Sequence, residues 1–211
     1  MGSFMGDVQS WTASVVRGGR GLTVTPHCRA NPPRPEESLE LYEFEACPYC
    51  RKVREVITEL DLAYICRPCP KGETTKRAYV RKQAGKTQFP YLEDPNSDTA
   101  MLESEDIITY LVDTYADGRG LAGKLLSPLN TLGAASASLV RPRGAAAREG
   151  TEGREQPPQL LELFNFEASP YCRKVREALC ELNLDYQVQN VAKKSPRRPR
   201  LVERGGTMMV P

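Results

Sequence analysis

One stretch of the chain occurs twice. Leu39-Glu-Leu-Tyr-Glu-Phe-Glu-Ala-Cys-Pro-Tyr-Cys-Arg-Lys-Val-Arg-Glu55 returns as Leu161-Glu-Leu-Phe-Asn-Phe-Glu-Ala-Ser-Pro-Tyr-Cys-Arg-Lys-Val-Arg-Glu177, at a constant offset of 122. Asp61-Leu-Ala-Tyr64 returns as Asn183-Leu-Asp-Tyr186 at the same offset. Thr207-Met-Met-Val-Pro211 stands where Thr87-Gln-Phe-Pro90 is expected, with a slip of one residue. Self-similarity of this kind means that one supersecondary unit is built twice. Whatever residues 39–64 fold into, residues 161–186 fold into as well.

The unit is readable. In residues 39–44, Leu39, Leu41 and Glu43 share one face, as the period of a strand requires. In residues 51–60, Val53, Val56, Ile57 and Leu60 recur at i, i+3, i+4 and i+7, an amphipathic helix. Cys47-Pro48-Tyr49-Cys50 therefore stands at a strand-to-helix junction, with Cys47 near the N-cap and Pro48 at the first helical position, where no N–H is needed. A helix N-terminus stabilises a thiolate through unpaired N–H groups and a partial positive charge. Arg51, Lys52 and Arg54 break the usual rule that cations belong at the other end of a helix. Broken local rules are expected at functional sites, so these three are expected to depress the Cys47 pKa further.

Cys-Pro-Tyr-Cys between a strand and a helix resembles a glutaredoxin active site. Thr87-Gln88-Phe89-Pro90-Tyr91 resembles the cis-proline segment of thioredoxin-fold proteins. Glu103-Ser104 resembles the pair with which glutathione transferase N-terminal domains hold the γ-glutamyl group. The tandem arrangement is similar to that of plant and algal chloroplast proteins that carry two glutathione-transferase N-terminal, thioredoxin-like domains. The resemblance covers both units and leaves out the first 38 residues.

The chain has 211 residues, 27% of them charged, a net charge of +2 and a mean hydropathy of −0.49. That charge is too small to argue for nucleic acid as the main partner. No run approaches the roughly 18 apolar residues of a membrane span. Seven cysteines with no secretory signal favour a reducing compartment, with redox or metal chemistry in place of a disulfide scaffold.

The chain divides into four parts. Residues 1–38, with Gly18-Gly19, Gly21 and Pro32-Pro33-Arg34-Pro35, read as a flexible tail. Their one acid before Pro35, Asp7, against several arginines also suits an organelle transit segment, and both readings stay open. His27-Cys28 has nothing beside it to complete a ligand set. Residues 39–115 are expected to be a complete unit of order β-α-β-α-β-β-α. Its later elements are a strand at 63–67, a polar helix at 73–83, strands at 89–93 and 99–102 around a turn at 94–98, and a helix at 104–115 with Ser104 as its cap. Residues 116–158, rich in Gly, Ala, Ser and Pro, read as a linker. Its mildly apolar part, 121–140, lacks the basic amphipathic period of a membrane-surface helix. Residues 159–211 are the second unit, which stops before its last two strands and helix. The chain is therefore expected to be a truncated product. The fold class is α/β, two tandem thioredoxin-like units, the second truncated at its C-terminus.

A rival metal reading exists. Cys47-x-x-Cys50 and Cys66-Arg-Pro-Cys69 have zinc-site spacing. The helix between them is too regular for a zinc ribbon, and the second unit has Ser169, Val188 and Val191 at three of the four positions, so no metal is expected. Cys69 and Cys180 read as core cysteines. Ser169 replaces the attacking cysteine of the second unit and Cys172 stands at its resolving position. The second unit is thus either degenerate or a hydrogen-bond donor to a bound thiolate. The basic run 193–200 matches the basic stretch 71–77 and reads as a solvated helix start.

The resemblance implies a glutathione-dependent thiol–disulfide oxidoreductase with Cys47 and Cys50 as the reacting pair. Glutathione would be held by Tyr49, Arg51, Gln88, Phe89, Pro90, Glu103 and Ser104, and the clients would be disulfide-bearing or glutathionylated proteins. The same resemblance implies a chloroplast location, with the cytoplasm as the alternative. Two other classes stay open: a glutathione-binding or transferase-like protein, and a non-catalytic docking module of two thioredoxin-like units.

Overall fold

The computed structural model describes residues 19–25, 34–116 and 143–211. Most of the tail, with His27 and Cys28, and the 121–140 stretch lie outside the described residues. The first run of elements is β1 (Leu39–Glu43), α1 (Pro48–Glu59), β2 (Tyr64–Pro68), α2 (Thr75–Ala84), β3 (Tyr91–Asp94), β4 (Thr99–Leu102) and α3 (Ser104–Tyr115). The second is β5 (Leu161–Asn165), α4 (Pro170–Glu181), β6 (Tyr186–Asn190) and α5 (Arg198–Gly205). The fold is mixed α/β, a six-stranded sheet with five helices among the described residues.

The apolar stripe of α1 does what its period requires. Val53, Val56, Ile57 and Leu60 are buried, together with Leu39 and Leu41 of β1 and Ile107, Ile108, Leu111 and Val112 of α3. Helix α1 stops in a left-handed residue, Asp61, with φ 55°. The Leu62 N–H donates to Ile57 O (3.0 Å) and the Asp61 N–H to Thr58 O (3.1 Å), the paired bonds of a Schellman stop. Helix α4 ends in the same way at Asn183, φ 55°. Glycine usually holds this position, but Asp and Asn tolerate it and here their side chains are used. Asp61 Oδ1 accepts from Asn190 Nδ2 at 2.7 Å, and Asn183 Nδ2 donates to Thr151 O at 2.9 Å.

The two halves do not hang from a linker as separate sheets. The strand order is β4-β3-β1-β2-β6-β5, with β2 and β6 joined antiparallel in the register Tyr64↔Val188, Ile65↔Gln187, Cys66↔Tyr186. Under the offset of 122 this register maps onto itself, so a local two-fold axis passes between Ile65 and Gln187. The helices repeat the symmetry. Arg54 of α1 donates to Glu167 Oε2 (2.9 Å) and lies 3.3 Å from Glu45. Arg176 of α4 donates to Glu45 Oε2 (3.0 Å) and pairs with Glu167 (3.0 Å). Arg54 also pairs with Glu43, and Arg176 donates to Asn165 Oδ1, the residue at the matching position, at 2.6 Å. All of these side chains are 3% exposed or less.

Two segments read as tail and linker belong to this seam. Residues 19–25 precede the first run but bridge to the second: the Val24 N–H donates to Lys193 O (2.9 Å) and the Lys193 N–H to Leu22 O (3.0 Å). Residues 145–147 precede the second run but bridge to the first, with Lys71 N–H to Ala145 O (2.7 Å) and Ala147 N–H to Lys71 O (2.8 Å). Glycine is required in each strap. Gly21 and Gly144 have φ of +71° and +73°, and a β-carbon there would stand 2.8 Å from Glu167 Cβ and 2.7 Å from Glu45 Cβ. Cleavage at a protease site inserted between residues 117 and 142 should therefore leave the halves together. Gel filtration of the nicked protein should show one species in native buffer. Two separated fragments would contradict the seam.

Candidate functional site

Cys47 is the N-cap of α1, with φ −71° and ψ 120°, and Pro48 follows it in the first turn. Its Sγ accepts the N–H of Cys50 at 3.2 Å. Burial would raise this thiol, but the Cys50 thiol and N–H and the Tyr49 N–H outweigh that and hold it below an ordinary thiol's 9.0. Cys50, fully buried, is pushed the other way, by desolvation first and then by the Cys47 sulfur. The two neighbouring thiols are thus shifted in opposite directions.

The expected role of the three cations is corrected. Arg54 is engaged with Glu43, Glu45 and Glu167, and Lys52 pairs with Glu105 of α3. Arg51 is 2% exposed, and burial depresses its pKa while Glu167 and Glu45 offset part of that. Of the three, Arg54 serves the seam and Lys52 the packing of α3 on α1. What lowers the Cys47 thiol is the neighbouring Cys50 thiol together with the N–H groups of Cys50 and Tyr49.

Beside Cys47 lies a cleft of about 380 Å³ lined by Tyr49, Gln88, Phe89, Glu103 and Ser104. Cys47 itself is 3% exposed, and its Sγ is 4.0 Å from the carbonyl oxygen of Phe89. The Phe89–Pro90 peptide is cis. The Phe89 ring is held from outside by Arg77, whose guanidinium carbon is 5.0 Å from the ring centroid and whose Nη2 donates to Cys69 O at 2.9 Å. Of the residues expected at the site, Tyr49, Gln88, Phe89, Pro90, Glu103 and Ser104 come together near Cys47 and Cys50. Arg51 does not line the cleft.

Ser104 is the first residue of α3 and not its cap. The cap is Glu103, with φ 71°, and it makes no side-chain bond to the helix. Its carboxylate instead accepts from Gln88 Nε2 (2.6 Å) and Lys86 Nζ (3.3 Å), which keep it below the usual carboxylate range. A non-glycine residue at positive φ is uncommon, and sequence reading had no signal for it. The result is a helix start with no side-chain cap, beside the cleft.

In the second half, Ser169 caps α4 as Cys47 caps α1, and its Oγ accepts the N–H of Cys172 at 3.2 Å. Burial raises the Cys172 thiol, only partly opposed by Ser169 and Arg176. Cys66 instead donates to Glu43 Oε1 (3.4 Å), and Cys69 to Arg67 O (3.4 Å). Among the described residues no three His, Cys, Asp or Glu side chains converge as metal ligands.

A strand, a cysteine-capped helix, a cis-proline segment and a second helix start around one cleft define a thioredoxin-like domain. The chain matches the family model described as glutathione S-transferase, N-terminal domain, over residues 41–119 and 163–211. These cover more than half of its length, and the chain belongs to that family. Comparisons with curated proteins and with solved structures returned no match. The family's function is glutathione-related. No helix among the described residues is long and apolar enough to cross a membrane.

If the N–H groups of Tyr49 and Cys50 hold Cys47 as thiolate, its alkylation should titrate below the 9.0 of an ordinary thiol. Iodoacetamide rates measured against pH, with peptide mapping, should show Cys47 labelled first and Cys50 and Cys172 inert. A midpoint at or above 9.0 would contradict the N-cap account.

Proposed function

We propose that the protein is a glutathione-dependent thiol–disulfide oxidoreductase built from two tandem thioredoxin-like units, with its reacting pair in the first. The observation that carries this is the opposite poise of two adjacent sulfurs, Cys47 held low and Cys50 held high, beside an open cleft.

The Cys47 thiolate attacks one sulfur of a substrate disulfide. A new S–S bond forms to Cys47, and the other substrate sulfur leaves as thiolate and takes a proton from solvent. Cys50 then loses its proton and attacks Cys47 Sγ. The bound half of the substrate leaves reduced, and a Cys47–Cys50 disulfide remains. Two glutathione thiols reduce that pair and become glutathione disulfide, so two electrons are passed in all. Alternatively, one glutathione thiol replaces Cys50 in resolving the mixed disulfide. Glutathione fits the cleft through the Phe89 main chain beside Pro90, through Gln88 and Tyr49, and through its γ-glutamyl carboxylate at the start of α3, formed by Glu103 and Ser104. The clients would be disulfide-bearing or glutathionylated proteins.

Reduction of hydroxyethyl disulfide by glutathione, run beside conjugation of an aryl halide, tests this reading. Turnover in the first without the second is expected. Conjugation alone would make the protein a transferase, and inactivity in both would favour a docking module. We also propose a chloroplast location, on resemblance. A reporter carrying residues 1–38 should enter the plastid, and a cytosolic signal would remove that part.

A further inference from the structure

Two arginines depart from the basic stretches read as solvated helix starts. Arg77, half-buried on α2, turns back toward the chain that leaves β2. Its Nε donates to Pro70 O (2.9 Å) and Cys69 O (3.2 Å), and its Nη2 donates to Cys69 O (2.9 Å). The first turn of α2 is held as well. The Glu73 carboxylate accepts the N–H groups of Lys76 (2.8 Å) and Arg77 (2.7 Å), two of the donors that a helix start leaves without an intrahelical partner. Arg198 of α5 repeats the device in the second half. Its Nε donates to Val191 O and Ala192 O, both at 3.1 Å. Val191 and Ala192 match Cys69 and Pro70 under the offset of 122. Arg198 matches Arg77 with the same one-residue slip that separates Thr207-Met-Met-Val-Pro211 from Thr87-Gln-Phe-Pro90.

The halves differ in what the guanidinium meets. In the second half, Arg198 Nη1 is 3.9 Å from Met208 Sδ. In the first, the Arg77 guanidinium lies over the Phe89 ring, where the ring face attracts a cation. Phe44 meets the same ring edge to face, with centroids 6.1 Å apart and planes at 88°. Both neighbours bear on the site. Phe44 stands three residues before Cys47, and Phe89 carries the carbonyl 4.0 Å from Cys47 Sγ. Phe89 is 9% exposed, yet it lines the cleft. A guanidinium is planar and forked, so its edge can grip two carbonyls while its face lies on a ring. An ammonium cannot do both.

We propose that Arg77 is a positioning residue of the Cys47 site. By tying the Phe89 ring to the chain that leaves β2, it fixes the Phe89 main chain beside Cys47 and so sets how firmly a glutathionyl group is held in the cleft. It acts through Phe89. The inference rests on the reading of Cys47 as a thiol that exchanges with glutathione disulfides. Arg198 supplies a comparison inside the same molecule, because it makes the matching main-chain bonds and meets a methionine in place of Phe89.

The test measures steady-state reduction of a glutathionylated peptide by the full chain and its variants. Arg77→Ala should raise KM for that peptide about tenfold and change kcat by less than about twofold, the mark of a lost hold on the bound state. Arg77→Lys should resemble Arg77→Ala. Arg77→Ala combined with Phe89→Leu should be no worse than Phe89→Leu alone, since both changes remove one contact. Arg198→Ala, which loses the matching main-chain bonds, should leave both constants unchanged. Full rescue by lysine would overturn the proposal by making Arg77 a charge that meets the ligand. Additive losses in the double variant, or an equal loss in Arg198→Ala, would overturn it too. A second readout needs no turnover. Hydrogen exchange of the Gln88 and Phe89 amides should quicken in Arg77→Ala, while the pH midpoint of Cys47 alkylation stays in place. A shifted midpoint would overturn the proposal by making Arg77 act on the thiol directly, and unchanged exchange would overturn it by showing that Arg77 does not fix Phe89. Absence of turnover in the unaltered protein would strike the Cys47 reading, and the exchange result would still decide whether Arg77 holds Phe89.

Discussion

Arg54→Ala should destabilise the protein by about 3–5 kcal/mol, the usual cost of removing one partner from a buried ion pair. A net stability of roughly 5–15 kcal/mol for a domain makes that a large part of the whole. The reason is the composition of the seam. Two arginines, Arg54 and Arg176, are buried with Glu43, Glu45 and Glu167. Despite burial, Arg176 and Arg54 hold Glu167 down to about 2, and they hold Glu45 below the usual range as well. Glu43 goes the other way, raised by burial ahead of what Arg54 can offset. Glu43 thus differs from Glu45 and Glu167 in the direction of its shift. Without Arg54, buried carboxylates lose their counter-charge. Glu43→Gln, by contrast, should cost less than Arg54→Ala, since the matching position already holds an amide, Asn165, that accepts from Arg176. The pH sign follows. Glu167 contributes stability that is present above 4.5 and is lost as pH falls toward about 2, whereas the Glu43 contribution falls as pH rises. Urea unfolding followed by circular dichroism measures all of this. An Arg54→Ala loss under about 1 kcal/mol would mean that the buried Arg54 ion pairs contribute little to the seam.

Cys47→Ser should abolish disulfide reduction, leaving only the uncatalysed reaction of glutathione. A serine hydroxyl cannot form the mixed disulfide, and among the described residues no other thiol has the same setting. Cys50, Cys66, Cys69, Cys172 and Cys180 are all buried, and burial raises each of them. Cys172→Ser should therefore leave the rate unchanged. Cys50→Ser should keep glutathione-linked turnover, because a glutathione thiol can resolve the adduct, and should lose the intramolecular disulfide. Steady-state rates of the three variants, with thiol counts after oxidation, separate these roles. Full activity of Cys47→Ser would move the reacting sulfur elsewhere.

What the sequence showed and what it hid divide along range. The elements of the first half were legible because each is written locally: the alternation of 39–43, the stripe Val53–Val56–Ile57–Leu60, the Asp94–Asp98 turn. The cleft was legible for the same reason, since Cys47 and Ser104 stand at helix starts that the sequence marks. The seam was not. Nothing in Tyr64-Ile-Cys or Tyr186-Gln-Val says that these edges meet each other, because strand pairing between distant segments leaves no periodicity in either. Arg51 and Arg54 show how the gap misleads. Basic residues after a Cys-Pro-Tyr-Cys invite a role at the thiolate, yet the acids that bind Arg54 include Glu167, 113 positions away. Gly21 and Gly144 looked like flexible chain for a related reason. Their glycines are needed by the side chains they cross, Glu167 and Glu45.

The central claim is that Cys47 is the nucleophile that exchanges with a glutathione disulfide. It is tested most directly by trapping the adduct. Cys50→Ser protein, which has no resolving thiol at that place, should be exposed briefly to glutathione disulfide near neutral pH, quenched with acid and mapped by peptide mass spectrometry. One glutathione on Cys47 and none on the other cysteines is the predicted result. No adduct, or an adduct spread over Cys66, Cys69, Cys172 and Cys180, would contradict it.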